Sequence, residues 1–397
     1  MPESPHLARN TWCAAAALFL AAAHPTAAEV NVAPQALIRY AYDNNIFSVR
    51  PNDPLLTAQG DLTRADFLQL YDAGATLNGT WGLQKLRVLV EGRDIRYHHY
   101  TRLNHNEYLG DVDFNWMLSS LLDGELEFRR DRTMAPFQLR ESTALEVDTN
   151  QDATVKVNLK LGSAFRLESA AIRHESFLPL PGFPDAVSRE TTERLALRYT
   201  GVANLSYGLQ FSHLAGTFDH GILPSRYRQN DEAVVFTYEA GSFSKINGLI
   251  GYSTRTDDVA QTSVSGVTGS FSLLRQLTGK TSIKAEIRRA INVYVVGGGQ
   301  ELDTSASLQA DWAATRRISV SARYLHMHSS FGTQAAVISI DAGRSDQYDQ
   351  INLNVGYQVA RWFTIRPFAR YENRHSNRTP FTYNGTVVGI DLQGQFR

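Results

Sequence analysis

The sequence predicts an all-β protein, a transmembrane antiparallel up-and-down β-barrel of about 18 strands with both termini on the periplasmic side. Three observations predict it. Stretches of strict two-residue alternation recur along the chain, short and long connections alternate between them, and the tryptophans lie beside the short connections. An even strand count brings both termini to the same rim.

The hairpin at residues 107–130 shows the alternation most clearly. Its apolar face holds Tyr108, Gly110, Val112, Phe114, Trp116 and Leu118, and continues after the turn with Leu126 and Phe128. Its polar face holds Glu107, Asp111, Asp113, Asn115, Glu125, Glu127, Arg129 and Asp131. The turn between them contains Asp-Gly, a hairpin signal. We expect the apolar face to meet lipid and the polar face to meet a water-filled interior.

The composition limits the possible classes of protein. A length of 397 residues alone would suggest two or three domains, but one hairpin pattern runs from end to end. We therefore predict a single barrel domain over residues 29–397. With 39 basic and 40 acidic residues, no nucleic-acid partner is expected. No apolar run of helical membrane length follows the N-terminus, which excludes a helical membrane protein.

Residues 1–28 have the composition of a cleaved signal peptide. Two basic side chains, His6 and Arg9, precede the apolar core at 14–23, and small residues at 26–28 suit cleavage before Glu29. The only cysteine, Cys13, lies inside this segment. The mature chain is therefore expected to be stabilised by hydrogen bonds and burial alone.

Eighteen alternating stretches follow one another along the mature chain. They cover 35–43, 66–79, 83–94, 107–118, 125–131, 153–161, 164–174, 193–199, 205–213, 232–238, 246–254, 263–274, 282–291, 302–312, 318–326, 348–357, 363–371 and 386–396. Most are long enough to cross a bilayer at a tilt.

The connections alternate in length, as they do in outer-membrane barrels. The short ones are 79–82, 119–123, 160–163, 200–204, 240–245, 275–280, 313–317 and 358–361. Long polar ones are 44–65, 132–152, 175–190, 214–230, 327–346 and 372–385, with shorter ones near 96–105, 255–262 and 292–300. The mature tryptophans, Trp81, Trp116, Trp312 and Trp362, lie beside short turns, which predicts an aromatic belt at one rim.

A soluble β-sandwich or propeller is the competing fold, because either would bury the apolar face in a second sheet. Long strands and alternating connection lengths favour the barrel. Pro367 lies inside a predicted strand and cannot donate a ladder hydrogen bond, so we expect a bulge or distortion there.

The polar face supplies the candidate functional residues, since a barrel of this size leaves an aqueous channel. The pore-lining candidates are Asp111, Asp113, Glu127, Arg129, Arg166, Arg194, Arg198, Arg288, Arg323, Arg366 and Arg370. Such charges either select permeating solutes or pair with one another across strands. The sequence leaves both interpretations open.

Catalytic signals are weak. The segment His326–Ser329 lies at a strand end, and its His-x-His pair could point two imidazoles the same way. No nucleophile, base and orienting group are grouped at a telling spacing. We expect no enzyme activity, no cofactor and no metal.

Several motifs resemble the EpsL family, outer-membrane barrels associated with exopolysaccharide biosynthesis operons. Residues 42–47, Tyr-Asp-Asn-Asn-Ile-Phe, resemble its D-N-x-F first-loop motif, and 115–118 with Gly124-x-Leu126 resemble its N-W-x-L hairpin. Residues 386–396 are similar to its closing strand, although this chain ends in Arg397 beyond the aromatic Phe396. The resemblance implies a role in secreting or assembling a polysaccharide.

The sequence therefore predicts a passive channel of the bacterial outer membrane that serves exopolysaccharide export. Its expected partners are outer-membrane lipid, a polysaccharide or oligosaccharide, and export-machinery proteins. One alternative is a porin for uptake of small anions or oligosaccharides. A second alternative is a barrel hydrolase that acts through His326–Ser329.

Overall fold

The computed structural model describes residues 29–58, 60, 63–139, 143–179, 185–219, 225–241, 243–259, 261–294, 299–332 and 343–396. The predicted signal peptide lies outside the described residues.

The described residues form eighteen strands and one short helix. The strands are β1 (Glu29–Asp43), β2 (Asp66–Trp81), β3 (Gln84–Tyr97), β4 (His105–Met117), β5 (Leu122–Met134), β6 (Val147–Leu161), β7 (Phe165–Leu178), β8 (Ala186–Val202), β9 (Leu205–Asp219), β10 (Ser225–Ala240), β11 (Ser244–Asp257), β12 (Thr262–Thr278), β13 (Thr281–Tyr294), β14 (Gly299–Trp312), β15 (Ile318–Phe331), β16 (Ser345–Ala360), β17 (Phe363–Ser376) and β18 (Tyr383–Gln395). The helix α1 is Pro54–Ala58, and single 3-10 turns occur at Thr101–Leu103, Phe137–Leu139 and Thr379–Phe381. None of the helices in the described part of the chain has the length and apolar character needed to cross a membrane.

The sheet closes on itself. Every strand pairs antiparallel with its neighbours in sequence, and β1 pairs with both β2 and β18. At this seam the side chain of Arg39 donates to both carboxylate oxygens of Asp391, at 2.7 and 3.0 Å. The predicted closed antiparallel barrel of 18 strands is confirmed. The side of the membrane that the termini face stays a prediction.

The strands are longer than the apolar alternation predicted. Strand β8, for example, runs over Ala186–Val202, whereas its alternation covers only 193–199. Most of the extra residues lie at the ends that enter the long connections, so the loop predicted at 132–152 shrinks to 135–146. The predicted strand ends were wrong on this side because hydrogen-bonded pairing continues where the outward side chains have become polar.

A band of apolar side chains covers the outside of the barrel. In β8, Leu195 and Leu197 are 49% and 46% exposed, whereas Ala196 between them is 2% exposed. The same alternation exposes Leu209 in β9 and Ile250 in β11. A closed sheet leaves no unpaired edge, so an apolar outer surface of this kind is compatible with lipid.

All four tryptophans of the described residues lie at the short-turn end, as the sequence predicted. Trp81 and Trp312 end their strands, Trp116 is next to last in β4, and Trp362 lies in the turn before β17. Trp81 stacks on Phe114 and Trp362 on Phe396. These rings form the belt expected at one membrane interface.

Pro367 interrupts the ladder between β16 and β17 without changing its register. Pairing stops at Asn354–Phe368 and resumes at Tyr357–Ile365, which leaves two positions unpaired. The expected distortion is therefore present, but the register shift in this ladder lies nearer the turn, between Gln358 and Ala360.

Candidate functional site

The face of the strands opposite the apolar band carries the charged candidates. On β3 and β4, one nitrogen of Arg87 donates to Asp111 at 2.8 Å and to Asp113 at 2.7 Å. On β5 and β6, Lys156 Nζ lies 2.8 Å from Glu125 and 3.3 Å from Glu127. These carboxylates therefore have cations on the neighbouring strand.

The carboxylates of Asp113, Glu125 and Glu127 also lie close enough together to suit a metal ion, with oxygens within 4.8 Å of one another. The ammonium group of Lys156 contacts two of the three. Because this lysine already compensates the negative charge of the carboxylates, the geometry does not require a metal ion.

Five of the eight candidate arginines contact a polar partner on the same face. The contacts are Arg129–Asp131 at 3.1 Å, Arg166–Asp123 at 2.7 Å, Arg198–Glu168 at 2.9 Å, Arg366–Gln393 at 2.6 Å and Arg370–Glu372 at 3.7 Å. Four of these partners are carboxylates, so much of the positive charge on this wall is compensated locally.

Arg194, Arg288 and Arg323 are different. All three are exposed, and none has a side-chain partner among the described residues. The register explains this, because every residue directly opposite them on both adjacent strands is neutral. The opposite residues are Ala170 and Ser212 for Arg194, Ser270 and Ser305 for Arg288, and Gln309 and Asn352 for Arg323.

Two of these arginines border the same cavity. Arg194 on β8 and Arg288 on β13 line a recess of about 440 Å³ along the inner wall. Gln210, Gln229 and Asp231 add polar groups to its lining. The recess therefore combines two uncompensated guanidinium groups with hydrogen-bonding side chains.

The connection after β1 folds into the barrel at the long-loop end. Phe47 is its central side chain, only 1% exposed, with ring centroids 4.9 Å from Tyr100 and 5.0 Å from Phe137. This cluster packs on Ile95 and Tyr97, which face inward from β3. We call residues 44–58 and 63–65 the inner segment, and it narrows the mouth of the barrel.

Hydrogen bonds hold the inner segment in place. The side-chain nitrogen of Asn45 donates to the backbone carbonyls of Val49 and Asn384, and its side-chain oxygen accepts from the backbone nitrogen of Val49. The carboxylate of Asp43 accepts from the backbone nitrogen of Asn45. The Asp-Asn-Asn-Ile-Phe motif thus anchors this loop inside the barrel, a role that the sequence pattern did not reveal.

A second connection crosses the mouth. The carbonyl of Gln138, just after β5, accepts from Arg374 of β17 at 2.8 Å. Strands β18, β1, β2, β3 and β4 separate β5 from β17 around the wall. A contact between them therefore spans part of the opening, and Phe137 beside it packs on the inner segment.

Beside this contact lies a stack that sequence analysis missed. The guanidinium group of Arg344 lies between the rings of Phe331 and Phe381, 3.7 and 4.0 Å from their centroids. Asp346 contacts both Arg344 and Arg374. Phe331 ends β15, Arg344 precedes β16 and Phe381 lies between β17 and β18, so no local spacing in the sequence signals the stack.

The His326–Ser329 segment divides between the two faces of β15. His326 contacts Asp349 at 2.8 Å beside the exposed Tyr324, whereas Ser329 is buried on the other face and donates to Asp303. Ser330 Oγ lies 3.3 Å from His328 Nε2. Within the described residues no carboxylate contacts His328, so a nucleophile, base and orienting group are not assembled here.

Comparison with known proteins gives one family match. Residues 243–396, less than half of the chain, match a family model described as "Putative beta-barrel porin 2". The comparison with curated proteins gives no match. The exopolysaccharide association implied by the EpsL resemblance stays a prediction.

Solved structures with a similar fold include three outer-membrane proteins. They are OpdK from Pseudomonas aeruginosa (12% identity, TM-score 0.45, 92% of this chain and 98% of that one), OccK9 (OpdG) from Pseudomonas aeruginosa (13%, 0.47, 93% and 98%) and OccAB2 from Acinetobacter baumannii (14%, 0.47, 92% and 98%). At these identities they say nothing about solutes. The closed sheet, the apolar outer band and the family match identify this chain as a β-barrel of the bacterial outer membrane.

Proposed function

We propose that the barrel is a passive channel for uptake of small anionic solutes, with its short-turn end and both termini in the periplasm. The observation that carries the proposal is the set of three exposed arginines on the inner wall without a compensating carboxylate, Arg194, Arg288 and Arg323. Most other charges of this wall contact an opposite charge, whereas Asp231 and Asp311 contact only glutamine amides among the described residues. The three arginines outnumber these two carboxylates and therefore favour anions along the wall.

Carboxylate solutes suit this wall particularly well. A guanidinium group binds a carboxylate through two parallel hydrogen bonds, and Arg194 and Arg288 open onto one recess. Exposed arginines bind such groups only weakly, because water competes at the site. Weak and repeated binding suits permeation, since a solute has to leave each site as well as enter it.

The test is the ion selectivity of the purified protein in planar bilayers under a KCl gradient. The variant R194Q/R288Q/R323Q should shift the reversal potential towards cation selectivity. The shift should be larger at about 0.1 M salt, where the screening length is roughly 10 Å, than at about 1 M, where it is roughly 3 Å. A reversal potential equal to the wild type at low salt would refute the proposal.

A matched control removes three arginines from the outside of the barrel. Arg96, Arg226 and Arg228 are exposed and share the outward face of their strands. The variant R96Q/R226Q/R228Q has the same net charge as the lumen variant, and its reversal potential should match the wild type.

Export of an exopolysaccharide is the second candidate, supported by the EpsL resemblance at residues 42–47. In this function the polymer would have to pass the inner segment, which Asn45 and Phe47 hold across part of the mouth. Deleting the gene distinguishes the two functions. Loss of surface polysaccharide with intact uptake of small anions supports export, and the reverse result supports uptake.

The third candidate, a barrel hydrolase, requires the histidines of β15. We expect the wild type and the variant H326A/H328A to hydrolyse phospholipid or glycan in proteoliposomes at the same background rate. A rate in the wild type that the variant loses would establish the hydrolase instead.

A further inference from the structure

On the outward face of four successive strands, β5 to β8, mostly apolar residues give way to charged or polar ones towards the long-loop end. Counted from the short turns, Leu126 and Phe128 of β5, Leu167, Ser169 and Ala171 of β7, and Leu197 and Leu195 of β8 face outward first. The next outward residues are Arg130, Arg173 and Glu193, with Gln151 on β6 between them. At about 3.4 Å per residue and a tilt of about 40°, eight residues of strand rise roughly 20 Å, close to the height of an outer-membrane apolar band.

Four exposed arginines face outward beyond this boundary. Arg130 and Arg173 are the first polar outward residues beyond it on β5 and β7, Arg132 is the second on β5, and Arg189 is the third on β8. We call them the outer arginine patch. Arg130 and Arg132 are neighbours on the outward face of β5, and Arg130, Gln151, Glu175 and Arg189 follow one another across four strands. With strands about 4.8 Å apart, the patch spans roughly 14 Å.

The patch carries an excess of positive charge. Arg173 contacts Glu175 at 2.5 Å, and this is the one carboxylate that contacts a patch member among the described residues. Arg130, Arg132 and Arg189 have no side-chain partner in the described part of the chain. Three guanidinium groups without a carboxylate partner therefore face outward on the long-loop side of the apolar band.

A recess beside the patch has a different chemistry. It holds about 480 Å³ and is bordered by Arg132, Val147, Thr149, Phe177 and Pro179, with Leu145 and the acidic residues Glu146 and Asp185 also in its lining. Phe177 is 42% exposed. The surface thus offers guanidinium groups next to an apolar wall. A phosphorylated lipid matches it, because its phosphates suit the guanidinium groups and its acyl chains suit the apolar wall.

We propose that the outer arginine patch binds the phosphate groups of a membrane lipid, whose acyl chains lie against Phe128 and the apolar band below. Guanidinium groups bind phosphate, as they do carboxylate, in bidentate fashion, and on this side of the apolar band phosphate comes from the lipid headgroups of the leaflet at the long-loop end. The site is separate from the inner wall, and it rests on the orientation given under the proposed function.

The test uses the full-length protein purified in a non-ionic detergent. Native mass spectrometry counts bound molecules of diphosphorylated lipid A, with the same lipid lacking its phosphates as the comparison. The variant R130Q/R132Q/R189Q should bind the phosphorylated lipid about a hundredfold more weakly, since each basic residue near such a surface contributes about a fivefold effect. The variant R96Q/R226Q/R228Q removes as many outward arginines elsewhere and should bind as the wild type does.

Three results would overturn the proposal. Equal binding by the patch variant and the wild type would show that the patch holds no lipid, and equal loss in both triple variants would show only a general charge effect. Displacement of the lipid by millimolar inorganic phosphate would identify a site for the free anion. The patch variant should keep the reversal potential of the wild type, which separates this test from that of the proposed function. Compact migration of unheated protein on a detergent gel confirms that the variant has folded.

Discussion

Replacing Phe47 with alanine should loosen the inner segment from the wall of the barrel. The ring of Phe47 is 1% exposed and contacts Tyr100 and Phe137 edge to face at 4.9 and 5.0 Å. Its removal takes away the central side chain of a cluster that otherwise rests on Ile95 and Tyr97. The hydrogen bonds around Asn45 remain, so the segment is weakened at one of two anchors.

The magnitude follows from the burial. Truncating a fully buried phenylalanine costs about 3–5 kcal/mol. Because the cluster belongs to a loop and not to the strands, we expect most of this cost in local undocking of the segment. Each 1.4 kcal/mol is a factor of about ten, so the undocking equilibrium should rise by roughly a hundredfold or more.

Single-channel recording measures this change directly. Phe47→Ala should show transitions to a higher conductance level that are rare in the wild type, because undocking widens the mouth. Phe67→Ala is the matched control, since Phe67 is 61% exposed on the outer surface of the next strand. Its conductance and noise should equal those of the wild type.

An unchanged conductance and noise in Phe47→Ala would refute the view that the inner segment narrows the pathway. Hydrogen exchange of the backbone of Asn45 and Val49 provides the necessary check. If their exchange accelerates while the conductance stays constant, the segment has undocked and does not obstruct flow.

Two further substitutions test the wall itself. Asp391→Asn should lower the free energy of unfolding by about 1.5–3 kcal/mol. It removes the negative charge of a 2% exposed side chain and replaces one of the two oxygens that accept from Arg39 with an NH2 donor, and a lower temperature at which the folded gel band disappears would report the loss. Gly124→Ala should destabilise the barrel by about 1–3 kcal/mol and alter the tryptophan fluorescence, because its Cβ would lie 2.3 Å from the ring of Trp116. Gly266→Ala, where a Cβ meets nothing within 4 Å, should leave both measurements unchanged, and a similar loss in that variant would contradict the steric argument.

The barrel itself could be predicted from the sequence because its strongest physical constraint is local. A strand with lipid on one side and water on the other has to alternate. Residues 194–199 do so, because Leu195, Leu197 and Tyr199 share one face while Arg194 and Arg198 lie on the other. Closure follows from the same constraint, since an open edge is not tolerated in lipid. Strand ends were harder to predict, because pairing continues through polar residues such as Arg189, where the outward pattern no longer reports it.

The partners of the inner charges depend on register, which alternation alone does not give. Arg194 and Arg198 occupy equivalent positions on one face of β8 and look alike in the sequence. The register places Ala170 opposite Arg194, and Glu168 within 2.9 Å of Arg198. Sequence analysis therefore predicts both arginines as candidates but does not distinguish the one whose charge stays available to a solute.

The narrowed mouth was not predictable from the sequence. Residues 44–65 have the composition of a polar surface loop, and Phe47 is inconspicuous among them. Its partners Tyr100 and Phe137 come from two other connections, 53 and 90 positions further along the chain. Contacts of that range leave no periodic signal, and the Asp-Asn-Asn-Ile-Phe motif is recognisable by resemblance alone.

The seam between β1 and β18 has a consequence for biogenesis. Arg39 and Asp391 are 352 positions apart. Strand β1 therefore cannot pair with β18 until nearly the whole chain has been synthesised and exported. Until then both terminal strands present unpaired backbone and the apolar band faces water, conditions that favour aggregation. A product truncated before residue 383 lacks β18 and cannot close the sheet, so it keeps these unpaired edges.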